Sequence, residues 1–102
     1  MAENKITKMD IVENIYGETG FEKRDVQKIV DKFLDELKVS LEKGNTIELR
    51  GFGTFEARLR KGRDEARNPK TGEKVSVASH YVAAFRAGRE LKKNLLELPV
   101  EE

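Results

Sequence analysis

Arg67-Asn68-Pro69-Lys70-Thr71-Gly72 is the stretch that decides the reading of this chain. Proline donates no backbone hydrogen bond and glycine takes a positive φ without strain, so these six residues predict a turn reversing two strands. The flanks add charge: Arg58, Arg60, Lys61, Arg63 and Arg67 lead in, and Lys70 and Lys74 lead out. A hairpin of this composition has no core of its own and needs a partner.

The formal net charge of +1 over 102 residues hides this asymmetry. From Met1 to Ala57 there are 9 basic and 12 acidic residues; from Arg58 to Lys93 there are 11 basic and 4 acidic. From Asn94 onward the balance is −3. A local surplus of seven positive charges is the footprint expected of a phosphate-binding surface. The bland alternative is a solvated charged face.

Composition excludes several classes. Without cysteine there are no disulfides, thiolate metal sites or cysteine nucleophiles, and the chain suits a reducing cytoplasm. No window approaches the ~18 apolar residues of a membrane span, and the N-terminus has no apolar signal core, so a soluble, unexported protein is expected. With one histidine and carboxylates spread along helix faces, no catalytic group, metal, cofactor or small-molecule substrate is expected. His80 is expected as a polar strand residue near the base of the arm.

The first half reads as helical. Thr7 followed by Asp10 predicts a capping box, with Ile6 placed to staple onto Ile11, so a helix should begin near Lys8. Ile11, Val12, Ile15 and Tyr16 give it one apolar face, and Gly17 and Gly20 are expected to break it. A second helix carries Val26, Ile29, Val30, Phe33, Leu34, Leu37 and Leu41 at spacings of three and four, with Gly44 as its C-terminal cap. These stripes are read as core.

After Gly44 the apolar period changes from 3.6 to 2. Ile47 and Leu49 alternate with polar residues, and Gly51-Phe52-Gly53-Thr54-Phe55 sets glycines around an aromatic, which predicts a sharp turn or a close backbone approach. Phe55, Ala57 and Leu59 then share one strand face, and Glu56, Arg58 and Arg60 the other. The returning strand places Val75, Val77, Tyr81, Ala83 and Phe85 on one parity. The segment from Arg86 to Lys93 is expected to open a short third helix, whose N-terminal amides with Arg86 and Arg89 could hold a phosphate.

The series Gly51-Phe52-Gly53-Thr54-Phe55, then Arg60, Arg63 and Ala66, then Arg67-Asn68-Pro69-Lys70-Thr71-Gly72, resembles the signature of the bacterial HU/IHF family of histone-like DNA-bending proteins. Phe85-Arg86-Ala87-Gly88 resembles that family's entry to its last helix, and the likeness runs from about Lys8 to Leu95. Two departures stand out. The stretch from Glu56 to Ala66 is one residue longer than in the commonest members, and Glu22 stands where many relatives have a capping serine.

The resemblance implies an α+β fold: two N-terminal helices, a three-stranded antiparallel sheet with a long protruding β-arm (about 58–82) and a short C-terminal helix, in an intertwined dimer. The DNA-binding domain would span 1–95, followed by an acidic tail at 96–102. Residue counting also favours a dimer, because setting aside the 25 residues from Arg58 to Val82 leaves 77, marginal for a lone core. Phe33, Phe52, Phe55 and Phe85 are the candidates for the shared interior.

The implied partner is double-stranded DNA, in a cytoplasmic bacterial nucleoid. By the resemblance, Pro69 would intercalate as a wedge from the minor groove. Arg58, Arg60, Lys61, Arg63, Arg67, Lys70 and Lys74 would follow the arm's phosphates and groove, with Asn68 near base edges, and Lys8, Arg86 and Arg89 would grip flanking phosphates. HU-like, sequence-tolerant compaction is the leading reading. The alternatives are an IHF-like bender with preferred sites and, remotely, a protein-interaction hairpin. Pairing with itself or with a paralogue stays open, as does the tail's role.

Overall fold

A computed structural model describes residues 4–100, apart from the side chains at positions 64–67 and 75. Two compact units are present, Met1–Val39 and Ser40–Glu102.

In the first unit, α1 (Lys8–Thr19) starts where its cap dictates. The Asp10 backbone N–H donates to Thr7 Oγ1 at 3.2 Å, and the Thr7 N–H donates to the Asp10 carboxylate at 3.0 Å. The Thr7 backbone N–H first, and then the Thr7 hydroxyl, stabilise the ionised Asp10 carboxyl and hold it below its ordinary range. The cap's contribution is therefore present at neutral pH and lost as pH falls through that lowered value. Gly17 does not break the helix as expected. An interior glycine costs only about 1 kcal/mol, and termination falls to Gly20, whose positive φ of 74° lets its N–H reach the Tyr16 carbonyl at 2.9 Å.

The second helix, α2 (Lys23–Glu42), is tied to α1 by Lys8 with Asp31 at 2.7 Å and by Lys23 with Glu13. The side chain of Val12 is fully buried and that of Val26 nearly so, and these two are the only buried apolar side chains among the described residues. Ile15, Val30, Leu37 and Leu41 are half-buried, and much of both stripes is uncovered: Ile29 is 67% exposed and Phe33 49%. The chain leaves 9435 Å² accessible, where a folded monomer of 11.6 kDa would leave about 5,800 Å².

In the second unit, Gly44 caps α2 with φ 81° and an N–H bond to the Leu41 carbonyl. β1 (Ile47–Leu49), β2 (Gly53–Arg60) and a later strand, β5 (His80–Ala87), form an antiparallel sheet in the order β1-β2-β5. The register sets Phe55 opposite Phe85, Ala57 opposite Ala83 and Leu59 opposite Tyr81, which is the apolar parity read from the sequence. Gly53 permits a close approach: a Cβ there would lie 2.6 Å from the Phe85 ring.

Between β2 and β5 the chain leaves the sheet as a two-stranded ribbon, β3 (Arg63–Arg67) with β4 (Lys74–Val77). The returning segment is thus two strands rather than the single one expected, interrupted at Ala78 and Ser79. At that junction the Gly62 N–H donates to Ser79 Oγ at 2.9 Å in place of a ladder bond. A Cβ on Gly62 would overlap the Val77 carbonyl oxygen and sit 2.6 Å from Ser79 N. Gly62→Ala is accordingly expected to break the pairing at the arm's base. Amide exchange should speed up in β3 and β4 while β2 and β5 keep their protection; unchanged protection in the ribbon would show that the junction yields at no cost.

The third helix, α3 (Arg89–Leu96), begins later than expected. Arg86 and Ala87 remain in β5, paired with Thr54 and Gly53, and the Gly88 N–H is fixed to the Phe52 carbonyl at 2.8 Å.

Candidate nucleic-acid interface

Strand alternation sorts the second unit into two faces. Phe52, Phe55 and Phe85 cluster on the apolar side, with ring centroids 4.8 Å apart for Phe55–Phe85 and 5.1 Å for Phe52–Phe85. Phe52 and Phe85 nonetheless stay 47% and 41% exposed. Phe33, the fourth candidate for a shared interior, lies in the first unit and is also half open.

The polar face carries Thr54, Glu56, Arg58 and Arg60 on β2 against Arg86, Ala84, Val82 and His80 on β5. Arg58 and Arg86 both reach the Glu56 carboxylate at 3.1 Å. His80 stands opposite Arg60 at the end of the ladder nearest the arm, its Nδ1 3.0 Å from the Ala78 carbonyl oxygen. Exposed Lys61 and Arg63 continue the positive run into the arm.

Within the ribbon, Arg63 is opposite Val77 and Ala66 opposite Val75, so two residues of β3 face one of β4. This bulge accommodates an odd residue in the arm. The Arg67 side chain lies outside the described residues; its backbone pairs with Lys74. The tip is closed by its own polar groups. Asn68 N–H donates to the Glu73 carbonyl, Gly72 N–H (φ 75°) to the Asn68 carbonyl, and Lys70 N–H to Asn68 Oδ1 at 2.9 Å. Asn68 Oδ1 is thus engaged in the turn. Pro69 and Lys70 stand exposed at the apex, and Lys74 is exposed on the return.

Of the body candidates, Arg89 opens α3, whereas Lys8 is in the first unit with its ammonium on Asp31. Sequence reasoning missed Arg50. The tight turn made by Gly51 (φ 86°) sets it in an open cleft of about 720 Å³ with Arg89 and Lys93. Pairing of β1 with β2 creates that proximity, which no local motif announces. Among the described residues, no group of His, Asp and Glu could hold a metal, and no helix is long and apolar enough to cross a membrane.

Residues 6–96 match the family model described as bacterial DNA-binding protein. The integration host factor alpha subunit of Methylococcus capsulatus is 41% identical over 97 residues, covering 95% of this chain and 87% of that protein. Its counterpart in Aliivibrio salmonicida is 39% identical, covering 95% and 98%. Among solved structures, an Anabaena HU–DNA cocrystal structure superposes with a TM-score of 0.82 at 30% sequence identity, covering 91% of this chain and 100% of that one.

Proposed function

The chain belongs to the bacterial DNA-binding protein family, the HU/IHF group, and on that premise we propose that it is a dimeric architectural protein that bends and compacts double-stranded DNA. One observation carries the reading. A ribbon closed by a self-satisfied turn, with Pro69 exposed at its apex and Arg63, Lys70 and Lys74 exposed around it, stands on a fold matching that of an HU crystallised with DNA.

Two such arms, one per chain, follow the minor groove while Pro69 enters a base step. The few kcal/mol of unstacking are offset by contacts along the bent duplex. Arg58, Arg60, Lys61, Arg63, Arg67, Lys70 and Lys74 supply the arm's contacts, with the Asn68 amide directed at base edges; Lys8, Arg86 and Arg89 hold flanking phosphates. The role is architectural rather than catalytic, in the cytoplasmic nucleoid, with residues 1–95 as the DNA-binding domain and an acidic tail beyond. A second chain covers the apolar surface that one chain leaves open.

Compaction with little sequence preference is the main reading. The integration host factor alpha subunits among its relatives favour a second, a bender with preferred sites. Comparing affinity for a random duplex pool with that for nicked or mismatched duplexes separates them, sequence tolerance with a preference for distorted DNA marking the first.

Salt titration tests the interface. Each neutralised phosphate contributes about −0.9 to the slope of log K against log salt, and Arg63→Ala or Lys70→Ala should flatten it by about one unit for every phosphate left without its cation. Slopes equal to wild type in both variants would remove these residues from the interface.

A further inference from the structure

We propose that Glu56 is a positioning residue that sets Arg58 and Arg86 as a two-arginine clamp for one stretch of DNA backbone; the inference rests on the DNA-binding reading above. A single carboxylate oxygen, Oε1, accepts a hydrogen bond from Arg58 Nη2 at 3.1 Å and forms an ion pair with Arg86 Nε, also at 3.1 Å. Glu56 is the least exposed of the three, its side chain at 25% against 54% for Arg58 and 65% for Arg86. The residue directly opposite it on β5 is the small Ala84, which leaves room for Arg86 to reach it from the diagonal position.

This geometry favours positioning over competition. Each guanidinium gives Glu56 one nitrogen, so the terminal edge of Arg86 and the Nη1 of Arg58 stay available for a phosphate. Arginine loses considerable rotamer freedom when it is fixed, and two unpaired guanidiniums on one sheet face would repel each other. A carboxylate between them removes the repulsion and takes up the ordering cost before DNA arrives. Charge alone argues the opposite way, since an acid near bound DNA should weaken binding. The two views therefore differ in sign.

The test measures affinity for a short duplex at fixed salt for wild type, Glu56→Asp and Glu56→Ala, each also in an Arg58→Ala/Arg86→Ala background, with melting curves for every variant. Glu56→Asp keeps the charge but withdraws the carboxylate by one methylene, and should bind about fivefold more weakly, as expected for loss of exposed ion pairs. Glu56→Ala should also bind more weakly, although it removes a negative charge. In the double-alanine background both substitutions should lose their penalty. Aspartate binding like wild type, or a penalty that persists without the two arginines, overturns the proposal; should the alanine variant fail to fold, the aspartate comparison still decides. A wild-type protein that does not bind the duplex would instead sink the DNA-binding reading itself.

Discussion

Dilution is expected to unfold this protein, and Phe52→Ala to do so at concentrations where wild type is folded. Val12 and Val26 are the only apolar side chains buried by one chain among the described residues, while Ile29, Phe33, Phe52 and Phe85 each leave roughly two-fifths or more of their surface open. Two valines at about 1.5–3 kcal/mol apiece cannot offset the conformational entropy of a chain this long. The missing burial is expected from a second chain, a copy or a paralogue. Melting temperature should accordingly rise with protein concentration, because folding and association are then one equilibrium. Phe52 sits against Phe85 and Phe55, and removing a ring from a filled interior costs about 3–5 kcal/mol per chain, much of the usual 5–15 kcal/mol total. Circular dichroism melts over a dilution series, with sedimentation at each concentration, provide the check. A folded monomer at micromolar concentration would refute the shared core.

Features governed by neighbouring residues are legible in the sequence itself. The Thr7–Asp10 box, the caps at Gly20 and Gly44 and the turn at Gly72 follow from local backbone chemistry. The parity that puts Phe55 and Phe85 in one layer follows from the strand period of two. What escapes a linear reading depends on pairing between distant segments. Gly62 looks like one more small residue in a charged run, and its need to be glycine appears only where Val77 and Ser79 close against it. The Arg58–Glu56–Arg86 cluster needs the β2–β5 register, and Arg50 beside Arg89 and Lys93 needs the β1–β2 turn. The stripes of α1 and α2 are plain in the sequence as apolar faces, but their burial belongs to two chains.

Replacing Pro69 by alanine should reduce the DNA bend while leaving the fold intact. Pro69 is exposed at the apex, and the turn beneath it is closed by bonds from Lys70, Gly72 and Asn68 N–H groups, none of which its ring supplies. Alanine can adopt the φ that proline fixes, so the turn has little to lose. What disappears is the rigid apolar ring proposed to hold a base step open. A wedge exploits a kink, and its loss should reduce both the bend and the preference for nicked or mismatched sites, where unstacking is already partly done. The substituted protein should keep its salt slope, because phosphate contacts come from the arginines and lysines. Energy transfer between dyes at the two ends of a short duplex, with wild type and Pro69→Ala both at saturation, reports the bend directly. Lower transfer for the variant is the expected result. Equal transfer would reduce Pro69 to a turn former and leave the bending to the basic arms alone.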